Sequence, residues 1–154
     1  MSAASKISKT LSGISGEYFV AAELSRRGFI ASITLRNTRG VDILVSNSDA
    51  TKSVGVQVKT NQRGTKDWIL NKKVEEGDDE TAKNLFFVFV NLNGTAAPEY
   101  HVVPKRDVSA FTRSGHDRWL KTAGRGGRKH KDNPMRKFVD REEKYLNRWD
   151  LLGL

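Results

Sequence analysis

Three polar residues between Gly40 and Thr60 have the types and spacing for chemistry on a phosphate: Asp42, Gln57 and Lys59. A carboxylate and an amide oxygen are the hard donors that a divalent cation prefers. An ammonium beside them offsets negative charge on a phosphoryl group. For this to work, residues from two segments must meet. Val54, Val56 and Val58 alternate with Gly55, Gln57 and Lys59. Side chains on a strand point to opposite faces with period two, so the valines take one face and the polar set the other. The preceding run, Val41 to Val45, carries Asp42. On a paired strand, Asp42 comes within cross-strand reach of Gln57 and Lys59.

The pattern D-x14-Q-x-K resembles the PD-(D/E)XK nuclease superfamily, which includes many restriction enzymes and the archaeal Holliday-junction resolvases. The resemblance covers about residues 14 to 92. It implies that Asp42, Gln57 and Lys59 are the catalytic set and that Asp42 and Gln57 hold Mg²⁺ (or Mn²⁺). Many members place a Glu on the helix before the first strand, and Glu17 of the pair Gly16-Glu17 fits that place as a third ligand. The sequence departs from the pattern twice. Val41 stands where a Pro is frequent, and Gln57 stands where an acid is usual.

Around this pair of strands the other elements follow from local signals. Ser15 is a plausible N-cap for a helix over residues 16 to 27, stopped by Gly28. Glu17 shares the stripe of Val20, Ala21 and Leu24, so it is either drawn into the site or a first-turn carboxylate favoured by the helix N-terminus. Residues 29 to 35, 41 to 45 and 54 to 58 alternate and predict an antiparallel meander. Gly55 marks either close approach by a ligand or a bulge. Trp68 to Leu70 reads as an edge strand or an extended return, with Trp68 packed in the core or at its rim. The acidic run Glu75 to Glu80 reads as a solvated loop. Leu85 to Leu92 is apolar on both faces and predicts an interior strand. Asn93-Gly94 turns the chain into a strand at Tyr100 to Val103. Pro104 opens helical turns expected to break near Ser114-Gly115. Residues 138 to 152 are expected to close the chain as a helix.

The formal net charge is +9, from 27 basic and 18 acidic residues. Between Lys105 and Arg148 there are 14 Lys and Arg against 6 Asp and Glu. A basic C-terminal third on a nearly neutral body marks a polyanion partner. Thr122 to Lys137 is rich in glycine and cations and is expected to be a flexible loop that meets nucleic-acid phosphates. The residues assigned to that contact are Arg36, Arg39, Arg125, Arg128, Lys129, Lys131, Arg136 and Lys137. There is no cysteine, so disulfides, thiolate metal sites and cysteine nucleophiles are excluded. His101, His116 and His130 lack metal-ligand spacing. No apolar run is long enough to span a bilayer. No secretory signal opens the chain, and a cytoplasmic location is expected.

The expected architecture is one α/β domain with a restriction-endonuclease-like core, a mixed central β-sheet flanked by helices. Residues 1 to 12 are expected to form a flexible arm and 13 to 154 a single domain with a basic loop at about 122 to 137. The expected function is Mg²⁺-dependent cleavage of DNA as an endonuclease. By analogy with nucleases that pair to cut two strands, a homodimer is expected. The alternative is a catalytically degenerate nuclease fold that binds nucleic acid or serves as a subunit of a defence or repair complex.

Overall fold

A computed structural model describes residues 6–35 and 40–154. Three helices and seven strands run in the order α1 (Lys9–Arg26), β1 (Ile30–Ile33), β2 (Ile43–Ser46), β3 (Ser53–Asn61), β4 (Asp67–Asn71), α2 (Asp79–Ala82), β5 (Leu85–Asn91), β6 (Glu99–Pro104), α3 (Lys105–Lys121) and β7 (Met135–Val139). Single 3₁₀ turns occur at Lys72–Glu75, Arg125–Gly127 and Trp149–Leu152.

Five strands form the main sheet in the order β1-β2-β3-β5-β6. β1, β2 and β3 are the expected antiparallel meander. β5 then joins β3 in parallel, with Gln57 beside Phe87 and Lys59 beside Phe89. β6 closes the sheet antiparallel to β5. The sheet is therefore mixed, and the twice-apolar strand lies in its interior as its sequence demands. β4 and β7 pair separately as a two-stranded sheet.

Each face of the main sheet has its own core. On one face α1 lays Val20 and Leu24 against Val54, Val56, Val58, Val88 and Val90, and Trp149 and Leu152 complete the cluster. On the other, Phe87, Phe89 and Val103 pack with Val108 of α3 and with Trp68, Leu70 and Phe138 of the small sheet. Phe89 stacks on Phe138 with centroids 4.4 Å apart, and the Trp68 indole N–H donates to the Val90 carbonyl at 3.0 Å. Trp68 is thus a buried core residue.

Four expectations change. α1 begins at Lys9 with Ser8 as its cap, whose hydroxyl accepts the Leu11 N–H, so residues 9 to 12 belong to the helix and not to an arm. The remainder of that arm falls partly on residues outside those described. α3 runs unbroken through Ser114 and Gly115, because neither removes a helical hydrogen bond and Gly115 faces open space. Residues 138 to 152 do not form a helix. β7 ends at Val139, and Glu143 and Asn147 take positive φ values of 59° and 54°, which break any helix. Thr122 to Lys137 is not a featureless loop either, since it contains the turn at Arg125–Gly127 and enters β7 at Met135.

Candidate functional site

β3 is nine residues long and β2 only four. Their ladder ends where Ile43 pairs with Val56 and Asp42 N–H donates to the Val56 carbonyl at 2.8 Å. Past that point the β2 side of β3 has no strand beside it. The next β3 donor on that side is the Val58 N–H, and the Asp42 carboxylate takes it at 2.7 Å. A side chain therefore continues the work of the missing ladder, because a buried backbone donor must be satisfied.

Side-chain direction follows from the register. Ile43 and Val45 lie in the α1 core, so Leu44 points to the opposite face, while Asp42, just before β2, turns its carboxylate to the Val58 N–H. Val54, Val56 and Val58 are buried against α1, so Gln57 and Lys59 also point to that opposite face. Asp42, Gln57 and Lys59 are all partly exposed. Gln57 and Lys59 thus share one sheet face, and the Asp42 carboxylate meets β3 at Val58 between them, where the ladder ends.

Gly55 has a different task from either one expected. A Cβ there would lie 2.9 Å from Leu85 Cδ2 and 3.0 Å from Val41 Cγ2. The ladder runs through it without a bulge, Leu44 and Leu85 flanking it. Its missing side chain is filled by Val41 and Leu85 and leaves no space for a ligand.

Glu17 lies on α1, which covers the other face. Gly16 touches β3 so closely that a Cβ would sit 1.9 Å from Thr60 Oγ1. The glycine therefore lets the helix backbone meet the residue after Lys59, and Glu17 stands partly exposed at that end of β3. Among the described residues no three His, Asp or Glu side chains gather in a group able to hold a metal ion.

The basic residues divide. Arg136 is buried (9% exposed). Its Nε donates to Glu75 Oε1 at 2.6 Å and its Nη1 to the carbonyls of Asn133 and Met135. The alternation of β7 turns Arg136 and Phe138 inward, so Arg136 is committed to an internal ion pair with Glu75. Lys137 faces out but pairs with Asp67 at 2.6 Å, holding that carboxyl below its usual range. Arg125, Arg128, Lys129 and Lys131 are exposed, with no ion pair among the described residues. Arg36 and Arg39 lie outside the described residues.

The segment carrying these cations is anchored by rings. Trp119 of α3 lies between His116, at 5.3 Å, and His130, at 4.0 Å. His116 Nε2 also meets Asp132 Oδ1 at 2.8 Å. Gly124 makes room for His130, since a Cβ there would lie 2.8 Å from its Cε1. His101 is different, fully buried with Nδ1 2.6 Å from Asp140 Oδ2. Asp140 also accepts the N–H groups of Lys144 and Tyr145. That pair holds the C-terminal segment on β6. None of these ring contacts is legible in linear spacing.

The backbone supplies the deciding comparison. A bacterial homing endonuclease, I-Ssp6803I, superposes with a TM-score of 0.55 over 96% of this chain and 94% of its own, at 14% identity. The fold is restriction-endonuclease-like. Hjc, a Holliday junction resolvase from Archaeoglobus fulgidus, aligns over 83% of this chain and 84% of its own at 16% identity and a TM-score of 0.49. No protein-family model and no curated protein matches the chain. The restriction-endonuclease-like core comprises the mixed sheet with α1 on one face and α3 on the other. No described helix is long and apolar enough to cross a membrane.

Proposed function

We propose that this protein is a divalent-metal-dependent DNA phosphodiesterase, acting as an endonuclease at Asp42, Gln57 and Lys59. The observation that supports the reading is that Gln57 and Lys59 share one face of β3 while the Asp42 carboxylate is held by the Val58 N–H between them, at the end of the β2 ladder. The donor set suits a hard cation. Asp42 Oδ1 stays available while Oδ2 accepts the backbone, and Gln57 adds a neutral amide oxygen. Glu17, carried by α1 over the other face, serves as a second carboxylate by reaching the cation past the Thr60 end of β3, directly or through water. A Mg²⁺ held by these residues would supply a polarised water and stabilise charge on the phosphoryl oxygens. Lys59 orients the attacking water or neutralises the phosphate. Its aliphatic stem lies beside Phe89 of the neighbouring strand. The exposed cations at Arg125, Arg128, Lys129 and Lys131 contribute the salt-dependent part of DNA binding.

Gln57 favours a second reading. With an amide in place of an acid, only two carboxylates serve the site, and no three-acid cluster forms among the described residues. One unit of attraction for the cation is missing. A nucleic-acid-binding protein with the same fold and no cleavage would have this composition.

Plasmid, single-stranded and branched DNA incubated with Mg²⁺ or Mn²⁺ separates the two. Nicking that disappears in Lys59→Ala and rises in Gln57→Glu supports the nuclease. Binding to all three substrates with no nick on any, in both wild type and Gln57→Glu, supports the binding protein.

A further inference from the structure

A groove of about 570 Å³ runs between α3 and the outer surface of the small sheet. It lies away from Asp42, Gln57 and Lys59, none of which lines it. Ile69, Phe111 and Met135 form its apolar parts and are 60%, 43% and 57% exposed. Three large apolar side chains exposed in one concave place signal a binding surface. The reason they are exposed is the alternation of β4 and β7. Trp68, Leu70 and Phe138 are spent on the core, which leaves Ile69 and Met135 on the outside.

Phe111 packs one side against Phe138, with centroids 5.0 Å apart, and leaves the rest of its ring open. Trp119 lines the same groove and is already engaged in stacking with His116 and His130, so it serves as wall. The basic segment starts and ends at this groove: Thr122, Asn133, Arg136 and Lys137 line it, as does Arg118. Arg118 at the groove, and Lys121, Arg125, Arg128, Lys129 and Lys131 beyond it, are exposed and carry no ion pair among the described residues.

We propose that this groove binds an unpaired stretch of nucleic acid, seating a base on Phe111 while the surrounding cations hold the flanking phosphates. An aromatic platform inside a cationic frame is the physical recipe for a single strand, because every base has a π-face to stack. A duplex keeps its bases internal and offers this apolar floor nothing. A second copy of the chain is disfavoured by charge, since each carries a formal +9. Its acidic run cannot serve as a ready counterpart, because Glu75 is engaged by Arg136 and Asp78 caps the Thr81 N–H. An acidic peptide would satisfy the frame and leave the Phe111 floor unused.

This inference rests on the nucleic-acid partner of the proposed function and on none of its chemistry. The test is fluorescence anisotropy of the full chain with labelled oligothymidylate and with a blunt duplex of equal length. Phe111→Ala and Met135→Glu should each weaken oligothymidylate binding about tenfold, within the range of one lost base stack, and leave the duplex within about twofold. Equal loss on both nucleic acids, no loss on either, or displacement of oligothymidylate by polyglutamate as effectively as by nucleic acid would overturn the groove. So would a wild-type dimer in sedimentation that Met135→Glu dissociates. If the wild type binds oligothymidylate through Phe111 yet cuts no DNA, the nuclease reading fails and the groove stands. If it cuts DNA while both variants bind normally, the groove alone fails.

Discussion

The Asp42 carboxylate accepts the Val58 N–H at 2.7 Å, so the acid is held by the residue between Gln57 and Lys59. The site's geometry and the strand's hydrogen bonding are therefore one arrangement. Asp42→Ala removes both and leaves a donor on a buried residue without a partner, at a cost of about 1–3 kcal/mol. Asp42→Asn keeps an oxygen acceptor and should retain most of that stability. Neither variant should cleave DNA. Urea melts read beside plasmid nicking distinguish the two losses, and cleavage by Asp42→Asn would show that the charge is not required.

Gly16 is fixed by contact and not by backbone angle. Adding a methyl group drives into Thr60 Oγ1 at 1.9 Å and Cγ2 at 3.2 Å. Gly16→Ala should destabilise by about 1–3 kcal/mol, the usual range for overpacking. Thr60→Ala in the same chain should recover part of the loss, because Thr60 Cβ stays 3.0 Å away. Thermal midpoints of the two single variants and the double give the coupling.

Arg136 should behave as a core residue. Truncating it to alanine strands Glu75 (16% exposed) without its partner and should cost about 3–5 kcal/mol. Arg136→Met with Glu75→Leu should recover most of that loss. Where the variants remain folded, the salt dependence of DNA binding should match wild type. A smaller slope in Arg136→Met/Glu75→Leu would return Arg136 to the phosphate contacts.

Burial of Tyr100 against Trp149 pushes its phenol up to about 12. In the unfolded chain a tyrosine ionises near pH ~10. Between those values the unfolded state loses a proton that the folded state keeps, so stability falls as pH rises. The contribution is whole below about pH 10 and is gone once pH passes about 12. Denaturation midpoints measured across this window should fall for wild type and fall less for Tyr100→Phe.

Much of the positioning is readable in the chain. The alternation of Val54 to Lys59 assigns the two faces of β3, and the doubly apolar Leu85 to Asn91 can only be interior. What fails are places where one pattern supports two structures. Phe138, Tyr145, Leu146, Trp149 and Leu152 suit a helix face, yet they pack as a strand, turns and a 3₁₀ segment. Met135 to Val139 does alternate, but the partner that makes it a strand is β4, more than sixty residues earlier. Arg136 belongs to the same error, since a cation in a basic run looks solvated until the register turns it inward. Ser15 is a good cap on paper, but the helix starts a full two turns earlier, where the Ser8 hydroxyl accepts the Leu11 N–H. The spacing of Asp42, Gln57 and Lys59 is visible in the sequence, but the hold of Val58 on Asp42 is not.

The stack of His116, Trp119 and His130 has a kinetic consequence. A glycine-rich segment is ordinarily a poor place to mount charges, because each must be immobilised at the moment of encounter. Here the rings anchor the chain that carries the charges in advance, so under the proposed function an incoming polyanion has only the exposed side chains left to order. Association should then be governed by diffusion and long-range attraction, and its rate should fall steeply as added salt shortens the reach of the field.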